Sequence, residues 1–92
     1  MTDVAVKKRL ARAKAQAIDH FLRTGYSIIR SDNGIFCFIA SRRRELRCIR
    51  VVVDRITDQD MRLAKEFPAP ASCSREIFCQ KPDGFEIQEI EE

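Results

Sequence analysis

The stretch that decides the fold is Ile35–Arg55, "IFCFIASRRRELRCIRVVVDR". Ile35 to Ala40 is apolar at every position, so a strand here would have both faces buried. Leu46 to Val53 is rich in β-branched residues and reads as a second strand. Between them "SRRRE" turns the chain. The result is a hairpin with an arginine-crowded tip, whose strands carry cysteine, arginine and valine and no carboxylate.

The flanking segments complete an α/β order. From Asp3 to Thr24, Val6, Leu10, Ala13, Ala17 and Phe21 recur at helical spacing and mark one buried face. Gly25 is a natural helix stop, because glycine tolerates a left-handed backbone. Tyr26 to Arg30 reads as a short strand, and "SDNG" as a turn. After the hairpin, Thr57-Asp58-Gln59-Asp60 resembles a capping box with Asp in place of Glu or Gln. It predicts a short helix that buries Leu63, Ala64 and Phe67, with Met61 at the flank, and ends at Pro68 and Pro70. Residues 68–75 read as a loop, Glu76 to Gln80 as a strand, "KPDG" as a turn and Phe85 to Ile90 as a last strand. The order is α-β-β-β-α-β-β in one domain, residues 1–92, which predicts a mixed sheet flanked by helices.

Composition narrows the function classes. The 92 residues are 45% apolar and 34% charged, as in ordinary globular chains, and leave room for one core. No apolar run approaches the roughly 20 residues of a membrane helix, and no secretory leader is visible. The expectation is a cytoplasmic protein without a membrane partner. The four cysteines, Cys37, Cys48, Cys73 and Cys79, form no C-x-x-C pair, and the single His20 is distant in sequence. They read as free structural thiols rather than zinc ligands or a nucleophile with its base. With three glycines, the chain has no phosphate-binding glycine loop. No cofactor is expected.

Charge is unevenly spread. Residues 1–50 hold 12 Lys/Arg and 4 Asp/Glu, whereas residues 51–92 hold 5 and 10. Such asymmetry suits a basic face that meets a polyanion, an acidic protein partner, or head-to-tail association of two copies. Phe21, Phe36, Phe38, Phe67 and Phe78 sit at apolar positions and read as core rather than as base-stacking platforms. Tyr26 and Phe85 begin strands and read as partly exposed.

The segments "LRTGY", "SIIRS", "IFCFIAS…ELRCIRVVV", "ITDQDMRLAKEFPAP" and "SREIFCQKPDGFEIQEI" together resemble the PD-(D/E)XK nuclease-like superfamily, closest to its archaeal Holliday-junction resolvase-like group. The resemblance covers nearly the whole chain and implies a restriction-endonuclease-like fold. It also implies a divalent metal held by an Asp on the second strand and an acid on the third, with a lysine two residues later. Residues i and i+2 of a strand share a face, so acid and lysine would reach one cleft. A hard cation there would activate water and stabilise the scissile phosphate.

Carried over residue by residue, that chemistry is lost. The second-strand Asp falls at Cys37, the third-strand acid at Arg50 and the lysine at Val52. A glutamate that many relatives carry on the first helix falls near Lys14. The expectation is therefore no catalytic residue and no metal site: a degenerate nuclease-like domain, a pseudo-enzyme that binds DNA or RNA through a basic face. The expected contacts are Lys14, Arg42, Arg43, Arg44 and Arg50. Two alternatives stand beside it. One is a small protein-interaction or self-assembly domain, such as a homodimer. The other is an active Mg²⁺-dependent endonuclease with a site displaced to Asp32, Glu45 or Asp54.

Overall fold

Glu45–Val53 forms the central strand, and its alternation builds both cores. Ile49 and Val51 are buried on one side, and Cys48 on the other with half-buried Val52. The computed structural model describes residues 2–30, 34–70 and 72–91. In chain order the elements are α1 (Thr2–Arg23), β1 (Ser27–Arg30), β2 (Phe38–Arg42), β3 (Glu45–Val53), α2 (Asp58–Glu66), β4 (Cys73–Lys81) and β5 (Gly84–Glu89). They make an α/β domain with one five-stranded mixed sheet, ordered β1-β2-β3-β4-β5. β1, β2 and β3 form an antiparallel meander; β3 and β4 are parallel; β5 returns antiparallel to β4. The parallel pair requires a crossover, and α2 supplies it. The predicted element order is the one observed.

The helices cover opposite faces. Ala13, Ala17 and Phe21 of α1 are fully buried against Phe38, Ala40, Ile49, Val51 and Phe78. Phe21 packs edge-on to both Tyr26 and Phe38. On the other face, Ala64 of α2 packs with Phe36, Cys48, Ile77 and Ile90, and half-buried Met61 and Phe67 complete that layer. Alanines in α1 hold the helix close to the sheet, so the aromatic residues fill the space beside them.

Caps fix both helix ends as the sequence predicts. The Thr57 side chain accepts from the Asp60 backbone N–H, and the Asp60 carboxylate accepts from the Thr57 N–H, a complete capping box. Gly25 adopts φ 90°, and the Tyr26 N–H returns to the Phe21 carbonyl at 2.9 Å.

Some boundaries differ from the prediction. β2 begins at Phe38 rather than Ile35 and continues to Arg42. β4 begins at Cys73, inside the segment expected to be a loop. Arg75 explains the second difference: its guanidinium donates to the Ala64, Lys65 and Phe67 carbonyls, so the strand end closes the C-terminus of α2. Tyr26, expected to be partly exposed, is 6% exposed because Phe21 packs edge-on to it and Arg42 stacks over its ring. The "SDNG" turn lies mostly outside the described residues. Among the described residues, no helix is long and apolar enough to cross a membrane.

Candidate nucleic-acid interface

A cleft opens where β2 and β3 part. They pair from Arg42–Glu45 to Phe38–Ile49. Beyond Ile49, β3 stays with β4, while the chain before β2 turns away. The Cys37 N–H still donates to the Ile49 carbonyl at 2.8 Å. The next ladder position is taken by a thiol, because the Val51 N–H donates to Cys37 Sγ at 3.4 Å. The parting leaves a cavity of about 510 Å³ between β3, residues 34–37, α1 and the start of α2. Lys14, Cys37, Arg50 and Val52 all line it. These are the four positions to which the resemblance assigns nuclease chemistry.

Arg50 organises this cleft. Its Nε and Nη2 both donate to Asp60 Oδ1 at 3.0 Å, and its Nη1 donates to the Ile35 carbonyl at 2.7 Å. Both side chains are largely buried, 19% exposed for Arg50 and 11% for Asp60. The same Asp60 carboxylate closes the α2 capping box through Oδ2, which also accepts from the Thr57 hydroxyl. Burial pushes the Asp60 carboxyl up. The Thr57 N–H and hydroxyl, then Arg50, more than offset this and hold it below the usual carboxylate range. Arg50 thus ties three segments together: the strand, the helix start and the chain entering β2. Its charge in the cleft is balanced by Asp60.

The cleft's uncompensated charge comes from Lys14 and from Arg55, just past β3. Both line the cavity, and neither side chain has an ion-pair or hydrogen-bond partner among the described residues. Lys14 is half-buried and Arg55 is exposed. Nearby, Arg9 is committed to Asp54 in an exposed ion pair, which raises the guanidinium's pKa and lowers the carboxyl's. Lys7, Lys8 and Arg12 on the same half of α1 are exposed and unpaired among the described residues. This end of the molecule is strongly basic.

Arg42, Arg43 and Arg44 lie elsewhere. They sit at the other end of β3, about 20 Å from Arg50 at the usual rise per residue. The structure therefore divides the predicted contacts into two groups, Lys14 and Arg50 at the cleft and the three arginines at the hairpin tip. Arg42 is occupied: it donates to the Thr24 carbonyl and to Glu45, and stacks over the Tyr26 ring at 4.4 Å. Arg43 and Arg44 are exposed and unpaired among the described residues. Arg43 adopts φ 54°, a left-handed backbone where a hairpin normally places Gly or Asn.

A second polar network escaped the sequence reading. Arg47 reaches Glu76 with two hydrogen bonds, at 2.7 and 2.5 Å, and the Tyr26 hydroxyl at 3.1 Å. It also lies 4.8 Å over the Phe21 ring. The Tyr26 hydroxyl in turn donates to Glu45 at 2.6 Å. Glu76 holds the Arg47 guanidinium well above its usual range despite opposing desolvation. Ser74 also donates to Glu76. Every member has a partner, so the network reads as a rigid strut between β3, β4 and Tyr26, the residue before β1. Arg47 and Glu76 lie 29 residues apart, and only strand pairing brings them together.

The acids proposed for a displaced metal site do not converge. Glu45 and Asp54 flank opposite ends of β3, and Asp32 lies outside the described residues. Among the described residues, no three His, Cys, Asp or Glu side chains group as metal ligands. The four cysteines are free thiols, with Cys48 and Cys79 buried. Burial raises the pKa of both. His20 is exposed and stacks edge-on to Phe21. No protein-family model, curated protein or solved structure matches the chain.

Proposed function

We propose that this chain is a catalytically degenerate nuclease-like domain, with a restriction-endonuclease-like fold, that binds nucleic acid without metal. One observation carries the reading: Lys14, Cys37, Arg50 and Val52 meet at one cavity, where a nuclease of this fold would hold its ion. What stands there is cationic and apolar. Among the described residues of the lining, the one carboxylate, Asp60, is committed to Arg50 and to the helix cap. The element order and the mixed sheet support the same reading. Lys14 and Arg55, with the basic half of α1, supply unpaired charge for phosphates. Arg50 shapes the cleft, and Arg43 and Arg44 offer a separate phosphate grip.

Fluorescence anisotropy in EDTA, with linear duplex, branched and single-stranded DNA over a salt series, tests this. Binding that weakens steeply with salt is expected; none even at low salt overturns the reading.

A second reading is self-assembly or protein interaction. Its support is that the outermost strands, β1 and β5, expose Ile29 and Ile87, each about half accessible. Exposed edge strands invite pairing with another chain. Light scattering across a concentration series distinguishes it: concentration-dependent dimers that form without nucleic acid favour this second reading.

A further inference from the structure

The cleft is a recess, and its shape selects among nucleic acids. We infer that it seats a single unpaired nucleotide, so that the chain binds single strands and bulged duplexes more tightly than fully paired duplex. This rests on the proposed nucleic-acid reading and deepens it.

The cavity of about 510 Å³ falls within the roughly 300–1,000 Å³ of sites that enclose a small organic ligand. A paired duplex is too broad to enter and would meet only the rim. The accessible apolar wall comes from Leu10 of α1, Val53 of β3 and Ile35 of the entering chain, with buried Val51 and Phe36 packed behind them. Such walls suit the faces of a base. Lys14 and Arg55 line the same recess as unpaired cations, placed for the phosphates that flank a buried base.

The polar floor is already satisfied. Arg50 is held by Asp60 and Ile35, and the Thr57 hydroxyl is tied to Asp60. A base edge therefore finds few groups to read it, and the site discriminates paired from unpaired far better than one base from another. Extracting a paired base costs stacking and pairing energy, and a bulged or single-stranded base avoids that cost. The base is held by burial, which agrees with the absence of an exposed aromatic platform in the recess: Phe36 is 2% exposed.

The test uses the full chain, in EDTA at one low salt concentration. Anisotropy would compare a matched duplex, the same duplex with a one-nucleotide bulge, and a single strand. The bulged duplex and single strand are expected to bind at least about tenfold more tightly than the matched duplex, a difference the method resolves easily. Leu10→Trp narrows the recess without changing charge and should abolish the preference for bulged and single-stranded DNA; circular dichroism confirms its fold. Equal binding of bulged and matched duplex, with steep salt dependence retained, overturns the inference and leaves the broader reading standing. A preference that survives in folded L10W also overturns it. No binding to any DNA sinks both. Should L10W not fold, the wild-type comparison alone decides.

Discussion

Arg50 and Asp60 face each other across the gap between β3 and α2, with two hydrogen bonds of 3.0 Å to a single carboxylate oxygen. The pair places a fixed positive group among the Asp60 carboxylate and the Ile35 carbonyl. It converts what would be a vulnerable, half-open sheet edge into a defined cleft.

Removing Arg50 should therefore cost stability. Arg50→Ala leaves Asp60 largely buried beside no cation and removes the Nη1 hydrogen bond to the Ile35 carbonyl. Urea unfolding should show a loss of about 2–4 kcal/mol. Arg50→Lys should recover only part of it, because an ammonium cannot reproduce the fork. A loss within 0.5 kcal/mol, roughly the level of a neutral surface change, would mean the pair is incidental.

Acid should expose the same carboxylate. The folded-state pKa of Asp60 lies below its unfolded value of about 3.9. Its contribution is present above that value and is lost as pH falls toward the folded one. Stability should decline below about pH 4. Asp60→Asn should be less stable at pH 7 and should flatten that decline, as measured by urea midpoints from pH 2 to 7. A parallel acid limb in the variant would contradict the assignment.

Glu76→Gln tests the strut on the other face. Glu76 is almost fully buried and Arg47 largely so. The variant should lose about 3–5 kcal/mol, the range for breaking one side of a buried pair. Tyr26→Phe should cost about 1 kcal/mol, since only the hydroxyl's bonds to Glu45 and Arg47 go. Guanidinium unfolding orders the two; a larger effect at Tyr26 would be evidence against Arg47–Glu76 as the centre of the network.

The hairpin tip should trade stability against binding. Arg43→Gly relieves the left-handed backbone and should stabilise the fold by about 0.5–1 kcal/mol. If the tip grips phosphate, the same change lowers affinity and reduces the slope of log K against log salt by about one. Thermal unfolding and anisotropy on the one variant would read both. Stabilisation without loss of binding would leave the tip as a solvated turn.

Much of this architecture is legible in the sequence, for identifiable reasons. The α1 stripe, Gly25 and the Thr57–Asp60 box are local signals, and local chemistry decides them. The start of β2 misled because Ile35, Phe36 and Cys37 are apolar for a different reason. All three wall a cleft; Ile35 and Phe36 pack with Ala64 of α2, and Cys37 packs with the α1-side core. Arg50 was conspicuous in sequence, but its partner Asp60 lies ten residues on, where it read only as a cap. Arg55 carried no signal at all, since its importance comes from standing beside Lys14 in space. Conversely, the Arg42–Arg44 run and Lys14 belong to one basic half of the sequence yet sit at separate ends of the fold.

The most direct test of the central claim is the salt dependence of single-stranded DNA binding in EDTA, for the wild type and for Lys14→Gln/Arg55→Gln. The account predicts metal-independent binding whose log–log salt slope falls by about 1–2 in the double variant, at unchanged stability. Wild-type binding that needs a divalent ion, or a slope unaffected by losing both cations, would contradict it.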